Sequence, residues 1–262
     1  MTPATIIISF LFGLIVGSFL NVVIFRLKSN RQFVKGRSAC QSCGHELSAL
    51  DLIPVASFLF LRGRCRYCRA KLSPQYPIVE LVTGVVFGLI GFRFGLGLPG
   101  LSAAVLSGFF IVVAVYDFKH LLILDKVVLP GAVVALLFNV ATDLSGSCAS
   151  WWQCRTISGL IGAAIIAGFF LLQHLISKGR WIGFGDVKYG LMLGLSAGMG
   201  GSLVLLFVAY LAGAFAGLSL IAFGRKQLSS RLPFGTFLSL SAIITLLWGG
   251  PILSWYLALI GF

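Results

Sequence analysis

The feature that most restricts how this chain can fold is the repetition of long apolar runs. Eight runs are expected to span a membrane, at about 4–25, 78–92, 100–116, 127–141, 156–176, 187–200, 202–223 and 235–260. A helix of roughly 20 apolar residues crosses a hydrocarbon layer of about 30 Å. Lipid offers no partner for backbone N–H and C=O groups, so only helices and closed barrels cross it. These runs are continuously apolar rather than alternating, which excludes a barrel. The fold expected is an all-α polytopic membrane protein with about eight transmembrane helices. The second, fourth and sixth runs are short for a full span. The first run has no basic stretch before it and is followed by Arg26, so it reads as a retained span rather than a signal peptide.

Composition enters through charge. Only 10% of residues are charged, yet the formal net charge is +13. Such an excess suits nucleic acid, but its distribution suits a membrane. With the N-terminus outside and connections alternating, every one of the 20 Lys and Arg residues except Arg93 and Arg155 falls on one side. The positive-inside rule makes that side the cytoplasm. A basic cytoplasmic face attracts anionic lipid, and nucleic acid is not an expected partner.

Between 26 and 77 the apolar pattern stops. The chain therefore divides into a first transmembrane helix (1–25), a cytoplasmic module (26–77) and a seven-helix membrane domain (78–262). The module contains SACQSCGHEL and RGRCRYCRAKL, two CxxC turns formed by Cys40 with Cys43 and Cys65 with Cys68. Two such turns close a tetrahedron of four thiolates, the ligand set of a structural zinc site. In a reducing cytosol two disulfides are the weaker alternative. Cys148 and Cys154 lie in the long outside loop, with Trp151 and Trp152 between them. A disulfide and a pair of free thiols both remain open there.

The chain has seven acidic residues. Asp117 ends the third run in VVAVYDFKHLLILD, and Asp186 begins the sixth in GFGDVKYGLMLG. The alternating topology puts both at the cytoplasmic ends of their helices, at one depth. Ionisable groups at membrane depth are functional candidates. Two carboxyls that share a proton can hydrolyse a peptide, the ionised one activating water and the protonated one polarising the carbonyl. Helix-end dipoles favour Asp186 as base and Asp117 as acid. The alternative is that each aspartate caps a helix or pairs with Lys119 or Lys188. Gly183 and Gly185 allow a tight turn before the helix. Asp186, Gly190, Gly194 and Gly198 then share one face, which suits either close packing of a neighbouring span or an apolar helical substrate. Glu80 is either a first-turn helix charge or an acidic contact for a basic peptide, and Asp125 belongs either to the rim of the site or to the interface at the start of the fourth run. Ser18 and Asn21 within the first run suit interhelical hydrogen bonds.

GSFLNVVIFRL, the two CxxC pairs, SPQYPIVE, the Asp117 segment, GFGDVK and PFGTFLSL, in this order, resemble the bacterial prepilin peptidases, also called type IV leader peptidases. The resemblance covers nearly the whole chain. It implies an inner-membrane aspartic protease that cuts short basic leaders from type IV prepilins or type II secretion pseudopilins on the cytoplasmic side. It also implies N-methylation of the new terminus with S-adenosylmethionine in many members. Carried over residue by residue, it implies a catalytic pair at Asp117 and Asp186 and zinc ligands at Cys40, Cys43, Cys65 and Cys68. It further ties Gly63 to the methyltransferase region and so to the methyl donor. The segment before Asp125 departs from the family in reading ILD, with Leu124 where proline is common. Substrate contacts are expected at Gly183, Gly185, Gly190, Glu80 and Asp125. A peptidase without methylation, and a transporter relaying protons through the two aspartates, are the competing functions.

Overall fold

The computed structural model describes residues 2–29, 38–148, 154–223 and 232–261. Arg31, Lys35, Arg37, Trp151, Trp152, Arg225, Lys226 and Arg231, which entered the expectations above, lie outside them. The described residues form eight α-helices: α1 (Pro3–Ser29), α2 (Ala56–Phe60), α3 (Gln75–Phe94), α4 (Leu98–His120), α5 (Asp125–Thr142), α6 (Arg155–Ser177), α7 (Phe184–Ala222) and α8 (Phe234–Leu259). Proline sits at or just before the first turn of α1, α3 and α8, as Pro3, Pro74 and Pro233. There its missing N–H costs nothing, because first-turn N–H groups have no helical partner. Gly95 ends α3 with φ of 70°, donating its N–H to Gly91 O, a positive-φ conformation that glycine adopts without strain.

Seven of these helices, all but α2, are long and apolar enough to cross a membrane, and the chain is a multi-pass membrane protein. The expected count of eight spans differs because the sixth and seventh runs form one element. At 39 residues, α7 would measure about 58 Å if straight, twice the hydrocarbon thickness. It is not straight: Gly198 adopts φ 72° and ψ 180° inside it. The contacts with α6 show the result. Gly190 abuts Ala167, Gly194 abuts Gly162 and Ala163, and the Gly198 and Ser202 positions also meet Gly162. Further on, the Tyr210 hydroxyl hydrogen-bonds Gln173 at 2.9 Å. The chain thus runs along α6 to Gly198 and turns back beside it, so the two halves of α7 are antiparallel.

The chain forms two compact units, Met1–Ala104 and Val105–Phe262. The division falls within α4 rather than at Pro77, because α3 packs along α1. That antiparallel pair meets through small residues. A Cβ on Gly13 would lie 2.7 Å from Phe87 Cβ, and one on Gly17 would lie 2.7 Å from the Glu80 Cα. Small faces of this kind let helix backbones approach closely in lipid. Asn21 accepts from Gln75 Nε2 at 3.1 Å and donates to Tyr76 O at 3.1 Å, so it makes the interhelical bonds expected of it.

In the second unit Phe110, Phe170, Tyr189, Met192, Leu193, Leu205 and Leu238 are fully buried. Cys148 and Cys154 are joined by a disulfide.

Candidate functional site

The cysteine module is built from two copies of one turn. Cys40 N–H donates to His45 O and Gly44 N–H to Cys40 O. Twenty-five residues later Cys65 N–H donates to Ala70 O and Arg69 N–H to Cys65 O. Isolated bridges close both turns, Ala39 with Glu46 and Arg64 with Lys71. Gly44 and Arg69 hold the same left-handed position, with φ of 70° and 59°. The four sulfurs lie within 4.8 Å of one another, and Cys40 and Cys68 are 3.9 Å apart. A tetrahedral ion with bonds of about 2.3 Å to sulfur needs S···S edges of about 3.8 Å, so the residues fit a metal ion. Sulfurs this close repel one another as thiolates unless a cation lies between them. The Cys43 N–H, joined by that of Ser42, holds the Cys40 thiol down at about 6 against the effect of burial. His45 is not in the cluster; its ring packs on Tyr67 with centroids 3.7 Å apart.

Asp51 braces the module. Burial pushes its carboxyl up, but hydrogen bonds from Arg66 and Ser48 outweigh this and hold it at about 2. Arg66 Nε reaches Asp51 Oδ1 at 2.7 Å. Glu80 is buried at the start of α3, 7% exposed. It accepts the Val55 N–H at 2.7 Å and a hydrogen bond from the Ser18 side chain. Gly63, with φ of 67°, stands behind Phe58, whose Cζ would lie 3.0 Å from a Cβ there. Phe58, Glu80 and Ser18 line a cavity of ≈690 Å³ within this unit, while Gly63 supports its wall without lining it.

In the second unit the structure brings Asp117 and Asp186 together. Asp117 is buried near the end of α4, 4% exposed. Its Oδ2 accepts the Thr236 N–H at 2.9 Å, with a further backbone hydrogen bond from Gly235. Asp186 lies in the first turn of α7 and accepts the Gly183 N–H at 3.2 Å. Tyr189, one turn beyond Asp186 on α7, is fully buried. Tyr189 shares a 2.7 Å hydrogen bond with Ser239. Ile123, in the turn between α4 and α5, covers the site. A Cβ on Gly185 would lie 3.2 Å from Ile123, and one on Gly235 would lie 3.0 Å from both Ile123 and Asp117 Oδ2.

This geometry alters two expectations. The helix-end argument for separate roles does not hold. Asp117 receives N–H groups from the start of α8, and Asp186 receives that of Gly183 at the start of α7, so both carboxyls sit at helix N-termini. The roles then belong to the pair, whose titration is joint. The glycine face of α7 is also not open to a substrate: Gly190 lies against Ala167 with 3.0 Å for a Cβ, so α6 already fills it. Of the other expected contacts, Gly183 is exposed, Gly185 faces Ile123, and Asp125 pairs with Lys188 at 2.5 Å on the surface. Sequence reasoning assigned no role to Tyr189, Thr236, Gly235 or Ser239. The quoted PFGTFLSL held three of them, but nothing in its spacing points to residues 119 positions earlier.

The fold and these two clusters define a class: a multi-pass membrane protein with four cysteines placed to hold a metal ion and two aspartates at the ends of membrane helices. Residues 11–94 match the bacterial peptidase A24 N-terminal domain, and residues 104–218 match the type IV leader peptidase family. The chain belongs to the type IV leader peptidase family. It is 32% identical over 272 residues to a prepilin leader peptidase/N-methyltransferase of Aeromonas hydrophila, covering 95% of this chain and 92% of the relative. A protein of the same name from Bacillus subtilis (strain 168) is 34% identical, with 95% and 97% covered. One from Pseudomonas aeruginosa is 28% identical, with 99% and 96% covered. No solved structure matches the chain.

Proposed function

We propose that this chain is a bifunctional prepilin-processing enzyme of the bacterial inner membrane. It removes the short basic leader of a type IV prepilin or type II pseudopilin and then methylates the new N-terminal amine. The observation that carries the peptidase reading is the convergence on Ile123 of Gly235, which touches Asp117, and Gly185, which precedes Asp186, with Asp117 held by the Thr236 N–H from a third helix. One ionised and one protonated carboxyl form the working pair. Water attacks the scissile carbonyl carbon while the ionised carboxylate takes its proton and the protonated carboxyl gives its own to the carbonyl oxygen. Collapse of the resulting diol breaks the C–N bond, and the amine leaves with a proton from the pair. No covalent intermediate forms, and the two aspartates exchange roles in each cycle.

Cys40, Cys43, Cys65 and Cys68 would hold Zn²⁺, and with four protein sulfurs the ion would serve a structural role. The methyl donor is S-adenosylmethionine. The charge distribution supports a periplasmic N-terminus, a cytoplasmic active site and contact of the basic face with anionic lipid. A basic leader meets Asp125 beside the site by displacing Lys188, with exposed Gly183 bordering its path.

The test is cleavage of a purified prepilin by purified enzyme in detergent, read by mass spectrometry of the new N-terminus. Asp117→Asn and Asp186→Asn should each lower the rate at least ~1,000-fold, as losses of a member of a catalytic unit do. Processing by both variants at the wild-type rate refutes the mechanism.

A further inference from the structure

The cavity of the first unit is occupied by nothing in the peptidase mechanism. We infer that it is the methyl-donor site, with Glu80 as the anion that meets the donor's sulfonium. The inference rests on the methyltransferase reading and goes beyond it by naming the residues. At ≈690 Å³ the cavity is in the size range of small-molecule sites. Its wall includes Phe25 and Tyr76, stacked with centroids 5.1 Å apart, a surface for a purine ring. Arg26 and Lys71 also line it and match the donor's carboxylate in charge.

Glu80 gives the cavity its specificity. It is a buried carboxylate whose hydrogen-bond donors, the Val55 N–H and the Ser18 side chain, are neutral. A buried anion is stabilised by a cation close to it, and the sulfonium of S-adenosylmethionine adds one to the Arg26 and Lys71 that line the same cavity. Val55 presents its N–H from φ 60° and ψ −50°, a conformation that a β-branched residue avoids. Strain of this kind concentrates where a ligand site is pre-formed. During transfer the amine lone pair forms the N–C bond as the S–CH₃ bond breaks, its electrons going to sulfur. The amine then loses one proton to water, and the neutral thioether S-adenosylhomocysteine no longer carries the charge that Glu80 holds.

The experiment is equilibrium binding of S-adenosylmethionine and S-adenosylhomocysteine to the full-length protein in detergent. Wild type should prefer the sulfonium. Glu80→Gln should weaken that ligand about tenfold and abolish the preference. Ser57→Phe, which fills the cavity from its lining, should weaken both ligands at least tenfold. Stoichiometric metal in each variant reports that the unit is folded. Wild-type affinity in both variants overturns the site. An unchanged preference in Glu80→Gln overturns the role of Glu80. Failure of the wild type to bind either ligand refutes the methyltransferase reading itself.

Discussion

Residues 1–104 gather their ligands from neighbours in the chain, whereas residues 105–262 gather theirs from helices far apart in it. Cys40 and Cys68 meet across 28 positions; Asp117 and Thr236 meet across 119. The first cluster needs only a repeated turn, so it forms wherever that turn forms. The second exists only when α4, α7 and α8 pack correctly. Helix packing should therefore govern the carboxylate site, while local chemistry governs the cysteine site.

Four perturbations sharpen that contrast, beginning with the most severe. Serine at all four of Cys40, Cys43, Cys65 and Cys68 should release the metal completely, since structural zinc contributes about 10–16 kcal/mol of binding free energy. Elemental analysis would show it, and methylation should be lost while cleavage survives. Gly194→Leu drives a side chain into the backbone of Gly162 and Ala163. Overpacking of that sort should cost about 3 kcal/mol or more, visible as a lower thermal midpoint and as lost cleavage with metal retained. Gly235→Ala puts a methyl group 3.0 Å from Asp117 Oδ2. It should reduce kcat by roughly 10- to 100-fold through displacement of the carboxyl, at little cost in stability. Asp125→Asn breaks only an exposed pair with Lys188. Thermal stability should change by less than ~1 kcal/mol, and the effect should be confined to KM for a basic leader.

The same contrast explains what could be read in advance. The two CxxC turns pointed to a metal-binding cluster, because ligand spacing within one turn is local, and the four sulfurs do lie close enough to share one ion. The apolar runs marked all seven span-length helices but divided α7 into two, near the reversal at Gly198. Alternation of the runs led to the expectation that Asp117 and Asp186 share a depth. Their partners gave no such signal: Tyr189, Gly235 and Thr236 look like ordinary apolar or small residues until α8 is docked. The destination of the glycine face was likewise invisible, because a small face suits an internal helix and a substrate helix equally well, and here α6 occupies it. The dipole argument failed for the same reason, since α8 brings its own N-terminus to a residue at the other end of α4.

The most direct measurement assays both reactions on one set of proteins: cleavage of intact prepilin, and methyl transfer to a peptide already cut. Asp117→Asn and Asp186→Asn should lose the first and keep the second, and the four-serine variant should do the reverse. Either aspartate variant cutting prepilin at the wild-type rate would contradict the account.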